Sequence, residues 1–125
     1  FYNVPMRRAA MRSAGEEYGK VLQVMQSYAI DNAGVAFACK KVGESSSELH
    51  TQREHKTIDA IRLVHGGTLA RELLPFEAEC AAVGLKAQGY VSNANYSARR
   101  LTFLLFINKR LVDSTCLRRA LEEVY

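Results

Sequence analysis

Four dibasic steps that contain arginine punctuate this sequence: Arg7-Arg8, Arg99-Arg100, Lys109-Arg110 and Arg118-Arg119. Arginine and lysine donate hydrogen bonds to phosphate oxygens and release the counterions held there, which gives salt-dependent affinity for nucleic acid. Several of the steps fall at turns or element ends rather than along one helix face. Taken alone, their plainer account is surface charge that keeps a domain soluble. A net charge of +4 and a pI near 9.1 permit a nucleic-acid partner without demanding one.

Other chemistry finds less support. No G-x-x-x-x-G-K-[ST] or G-x-G-x-x-G loop is present, so no phosphate-cradling site of its own is expected; Gly66-Gly67 reads as a helix stop. His50, His55 and His65 have no cysteine or second histidine at metal-ligand spacing. There is no G-x-S-x-G elbow for a nucleophile. Glu16-Glu17, Glu77 with Glu79, and Glu122-Glu123 look like solvated carboxylates rather than an acid/base pair. Cys39, Cys80 and Cys116 are distant from one another and odd in number, which suits a reducing compartment and small buried side chains better than disulfides. The expectation is therefore no catalytic residue, no bound cofactor and no metal.

The elements that would hold the basic steps can be read from spacing. With 125 residues and 48% hydrophobic composition, the chain suits one domain over residues 1–125 with a real core. No apolar run reaches membrane-span length and no secretory signal is visible. The chain begins with Phe1 rather than Met, as expected of a piece of a longer protein.

After a basic entry, Ser13-Ala14-Gly15-Glu16 forms a capping-box pattern. Behind it, Tyr18, Val21, Leu22, Met25, Tyr28 and Ala29 fall at helical spacing, with a stop near Gly34. Val35, Phe37 and Cys39 predict a strand, and Glu48–Gln52 a possible antiparallel return beyond a polar turn. Thr57 is placed to cap a short helix carrying Ile58, Ile61 and Val64. Residues 69–76 read either way, and Pro75 confines any strand there to a sheet edge. Alternation from Val83 to Val91 predicts another strand, followed by a Ser92–Asn95 loop.

Leu101–Ile107 is nearly all apolar, as in a central strand buried on both faces. Asn108-Lys109 is a turn, Arg110–Val112 is extended, and Ser114 caps a last helix with Leu117, Ala120, Leu121 and Val124 on one face. The fold class expected is α/β (α+β), a mixed β-sheet with helices on one face. The paths of residues 44–57 and 66–80 stay open.

Five segments, in order along the chain, resemble one family. Phe1-Tyr2-Asn3-Val4-Pro5-Met6-Arg7-Arg8 resembles the F-Y-N-x-P-x-R-R signature of MutL DNA mismatch repair proteins. Leu105–Val112 resembles that family's F-[IV]-N-x-R-x-[IV] element. Glu16–Lys20, Asn32–Gly34 and Gly89–Ser97 resemble the eukaryotic MutL homolog 1 branch in particular.

The resemblance implies the second half of an ATPase region of the gyrase/Hsp90/histidine-kinase/MutL type. Its fold would be that of the second domain of gyrase B, ribosomal-protein domain 2-like. It implies that ATP-binding motifs precede the opening signature, and that a lysine for the γ-phosphate, in an H-P-x-K element, follows the last helix. The fragment itself is thus expected not to be an enzyme. ATP and Mg²⁺, weak ATPase activity and a C-terminal dimerisation region would belong to the full-length protein.

Implied partners are DNA, a PMS-type MutL partner in a heterodimer, and MutS-type mismatch recognition proteins. The implied location is the nucleus, and no membrane partner is expected. The family's DNA-binding arginine falls on Arg110, beside Lys109 where many members have glycine, which leaves the turn type open. Arg7 and Arg8 match the paired arginines near the family's basic groove. Arg99 and Arg100 are nominated on charge and loop position alone. The alternative is a structural relay or protein-interaction domain that does not touch DNA.

Overall fold

The computed structural model describes residues 2–11, 13–97 and 101–125. Two compact units divide the chain, Phe1–Ala60 and Ile61–Tyr125.

In the first unit, Pro5 opens a five-residue helix, α1 (Pro5–Ala9), where its fixed φ suits the first turn. Helix α2 (Ala14–Asp31) starts where the capping pattern places it: the Glu16 N–H donates to Ser13 Oγ at 3.3 Å. It stops at Asn32, and Gly34 takes a positive φ of 93°. Its second half carries the buried face, with Ser27, Ala29 and Ile30 inside; the Ser27 hydroxyl is satisfied by donating to the Gln23 carbonyl at 2.9 Å.

That face packs on a short antiparallel ladder of β1 (Ala38–Cys39) and β2 (Leu49–His50), in which Ala38 faces His50 and Cys39 faces Leu49. Leu49 and Thr51 are the largest fully buried side chains among those described, Leu49 at 1% and Thr51 at 2% exposure. Thr51 replaces further ladder pairing with its own bonds. Its N–H donates to the Phe37 carbonyl at 2.8 Å, and its Oγ1 accepts from the Phe37 N–H at 2.9 Å and donates to Val35 O at 3.3 Å. The antiparallel return expected of 48–52 is therefore present, made of two paired residues and one threonine bridge.

Helix α3 (Thr57–His65) runs from one unit into the next. Thr57 is its first residue rather than its cap; the Asp59 carboxylate reaches back to the Lys56 N–H at 3.1 Å instead. A carboxylate two positions into the first turn also complements the helix dipole, which a threonine hydroxyl cannot do. Gly66, at φ 96°, ends α3, and α4 (Gly67–Arg71) follows at once.

The second unit is built on a long hairpin. Strand β3 (Leu73–Cys80) pairs antiparallel with β4 (Leu85–Ser92) along its whole length, Leu73 facing Ser92 and Cys80 facing Leu85. A 3-10 turn at Ala81–Val83 and Gly84 at φ 62° close it. Residues 69–76, open on sequence grounds, thus divide between α4 and β3. Pro75 lies in β3, which pairs on one side only among the described residues.

A second hairpin joins β5 (Leu105–Ile107) to β6 (Arg110–Val112). Helix α5 (Thr115–Val124) ends the chain, capped as expected: Leu117 N–H donates to Ser114 Oγ at 3.4 Å.

The α/β class holds, but the sheet differs from the expectation. Among the described residues the strands form three separate two-stranded antiparallel ladders, not one mixed sheet. The apolar run 101–107 pairs only over its last three residues, and Leu101 is 53% exposed. An apolar run becomes a central strand only when a neighbour pairs on each side. Here the tight turn at 108–109 supplies one neighbour, β6. All three cysteines are free, but their burial departs from expectation: Cys39 is half-buried, and Cys80 and Cys116 are exposed. Cys80 ends a hairpin strand that is exposed along most of its length, and Cys116 lies in the first turn of α5.

Candidate nucleic-acid interface

The β5–β6 hairpin carries the strongest candidates. Ile107 pairs with Arg110, leaving Asn108 and Lys109 as the two-residue loop. Both take positive φ, 50° and 65°. That is the signature of a type I′ turn, whose twist matches that of the flanking strands. Asn tolerates the left-handed region well, whereas lysine there costs about 1 kcal/mol relative to glycine. The turn type left open by the missing glycine is thus the type I′ form, held by a strained lysine. Lys109 and Arg110 are both exposed, so the hairpin presents two adjacent cationic side chains at its tip. Among the described residues Arg110 makes no ion pair.

Arg7 and Arg8 lie in the last turn of α1, where cations complement the helix C-terminus, and both are exposed. They belong to the first unit and the hairpin to the second. Arg99 and Arg100 lie outside the described residues.

Two residues make contacts that the sequence did not foretell. Asn93 holds the mouth of the β3–β4 hairpin. Its Nδ2 donates to Glu72 Oε2 at 2.6 Å, its N–H donates to the Glu72 carbonyl at 2.8 Å, and its Oδ1 accepts from the Asn95 N–H at 2.9 Å. The Asn-x-Asn spacing is a recognisable side-chain turn signal; the long-range partner is not. Beside it, the Tyr125 hydroxyl donates to the Ser92 carbonyl at 2.7 Å, tying the chain's last residue to the end of β4.

The second residue is Arg118. Its Nη2 lies 3.0 Å from Asp113 Oδ1, and its guanidinium sits 5.6 Å from the Phe103 ring centre. Asp113 and Arg118 are five residues apart across a helix start, a spacing that no helical-pair rule predicts.

A polar cluster in the first unit is structural in character. The Tyr18 hydroxyl lies 3.7 Å from Cys39 Sγ, and Lys41 Nζ sits 4.8 Å from the Tyr18 ring centre. Lys41 also meets Glu48 at 3.1 Å and Glu44 at 3.5 Å. Partial burial, then the Cys39 thiol, then the carboxylates of Glu48 and Glu44 push the Tyr18 phenol up to about 12. Among the described residues no group of three or more His, Cys, Asp or Glu side chains is placed to hold a metal ion. No described helix is long and apolar enough to cross a membrane.

Residues 61–125 match the protein family described as "DNA mismatch repair protein, C-terminal domain", and that stretch coincides with the second compact unit. The whole chain aligns with longer proteins. "Putative MutL protein homolog 1" of Schizosaccharomyces pombe is 40% identical over 128 residues, covering 100% of this chain and 19% of that protein. "DNA mismatch repair protein MLH1" of Saccharomyces cerevisiae is 38% identical over 128 residues, covering 100% of this chain and 17% of that protein. "DNA mismatch repair protein MutL" of Chlorobium phaeovibrioides is 29% identical over 126 residues, with 100% and 20% covered. The chain belongs to the MutL family of DNA mismatch repair proteins. It resembles the homolog 1 proteins of two yeasts along its full length, and spans about a fifth of the length of these relatives.

Proposed function

We propose that this chain is a non-catalytic, DNA-contacting part of a mismatch repair protein, and that the tip of the β5–β6 hairpin touches the phosphate backbone. The observation that carries the reading is the turn itself. A lysine occupies a left-handed position that glycine would fill more cheaply, and it stands beside an exposed arginine that makes no ion pair among the described residues. Contacts of this kind are weakly sequence-specific and weaken steeply with salt.

In the full-length protein the domain would couple ATP and Mg²⁺ binding in an adjacent ATPase domain to dimerisation with a PMS-type partner. It would also couple ATP state to signalling after MutS-type recognition, in the nucleus. These readings rest on family membership, and so does the expectation that the fragment alone turns over no ATP. Arg7 and Arg8 would add contacts from α1.

The test is fluorescence anisotropy of the chain on duplex DNA across a salt series, beside Arg110→Glu. The expected result is binding that falls with salt. The variant should bind more weakly, with a log–log slope shallower by about 1 and an unchanged circular dichroism spectrum. Identical binding by the variant would instead favour a relay domain that transmits ATP state without touching DNA.

A further inference from the structure

Arg118 belongs to one of the four dibasic steps, and by charge alone it would count as another phosphate contact. Its surroundings point elsewhere. It lies in the first turn of α5, where its N–H donates to the Ser114 carbonyl at 3.0 Å. A cation at that end of a helix opposes the dipole, so it needs a local partner to be favourable there. Asp113 is that partner, at 3.0 Å. The guanidinium also lies against Phe103, and Nε is buried without a hydrogen-bond partner among the described residues. Nη2 is therefore engaged and Nε covered, so although the side chain is 43% exposed, two of its three guanidinium nitrogens are turned to neighbours within the chain.

Asp113 directly follows β6, three residues beyond Arg110. Along an extended strand that is roughly 10 Å, about one Debye length at 0.1 M salt. Left alone, the 79%-exposed Asp113 carboxylate would repel the same phosphates that the hairpin tip attracts.

We propose that Arg118 is a positioning residue for the DNA-binding hairpin, acting through Asp113: it cancels that carboxylate and holds it on α5, without contacting DNA itself. The inference rests on the DNA-contacting reading of the hairpin. It assigns opposite signs to two neighbouring residues. Asp113→Asn should leave affinity unchanged or raise it. Arg118→Met should lower affinity about twofold to fivefold at roughly 50 mM salt, and the loss should fade as salt screens the exposed charge. On the Asp113→Asn background Arg118→Met should have no effect. Arg118→Lys, which keeps the charge but not the fork, should bind like the parent chain.

The experiment is anisotropy of the 125-residue chain on a duplex oligonucleotide for the parent, the two single variants, the double variant, Arg118→Lys and Arg110→Glu. Circular dichroism melts on each variant ensure that only folded samples are compared. Equal losses from Arg118→Met on both backgrounds, with the salt slope reduced by about 1, would make Arg118 a direct contact and overturn the proposal. So would the absence of any effect from Arg118→Met while Arg110→Glu weakens binding. If Arg110→Glu binds like the parent, the hairpin is not the DNA site and the inference falls with it.

Discussion

At the scale of single residues, Lys109 separates strain from function. Replacing it with glycine relieves the left-handed backbone at φ 65° and should stabilise the hairpin by about 1 kcal/mol, offset in part by glycine's greater freedom in the unfolded chain. The same change removes a charge. A thermal melt should therefore rise or hold while DNA affinity drops; a fall in both would mean that the lysine side chain also holds the turn together. Thr51 makes the opposite case. Thr51→Val keeps the shape but leaves the Phe37 N–H without its side-chain acceptor, and should cost about 1–3 kcal/mol in urea unfolding.

Tyr18 gives a pH dependence at the alkaline end. Its folded pKa of about 12 lies above the ordinary 10.0, so the folded state holds its proton more tightly than the unfolded state does. That contribution is present below pH 10 and is lost as pH climbs through 12. Absorbance titration should show a tyrosine transition near pH 12, and Tyr18→Phe should remove it. The basic residues were legible as types. Their roles were not, because the Asp113–Arg118 pair and the Phe103 contact depend on how α5 meets the segments before it.

At the scale of elements, local signals were read well and distant pairing poorly. The Ser13 and Ser114 caps, the Gly34 and Gly66 stops and the 108–109 turn each depend on residues within a few positions of one another, and each lies where spacing put it. The extent of pairing in 101–107 depends on neighbours elsewhere in the chain, and there the expectation of a central strand exceeded what forms. Within β3–β4, Phe76 faces Gly89, and a Cβ built on Gly89 would stand 3.0 Å from Phe76 Cε1. The ring covers the glycine, so Gly89→Val should displace it and lower the hairpin's stability by about 1–2 kcal/mol despite valine's strand preference. Phe76→Ala, which vacates the space, should make the valine tolerable; losses from the two changes that simply add would refute that coupling.

At the scale of the whole molecule, the family match and the second compact unit begin at the same residue, Ile61. Among the described residues, full burial concentrates in the first unit, at Ala29, Ile30, Leu49, Thr51 and Ala60. The second unit leaves Leu74, Leu85, Leu117 and Leu121 exposed. Amide exchange should accordingly be slowest in the second half of α2 and at Thr51, and faster through β3–β4. Uniform protection across both units would contradict this. The α/β class was legible because helical and alternating periods are local properties of the chain. The separation into three ladders was not, because it depends on which strands meet.

Pro75 gives the exposed hairpin a protective role against self-association. The run Leu73-Leu74-Pro75-Phe76 lies on a strand that pairs on one side only among the described residues, the kind of template onto which another chain adds a strand. A proline in its midst cannot donate to an incoming backbone, so it acts as a gatekeeper in an otherwise sticky segment. Pro75→Val would give four consecutive apolar residues with full hydrogen-bonding capacity, and light scattering at rising concentration should then report fibrillar aggregates that the parent chain does not form.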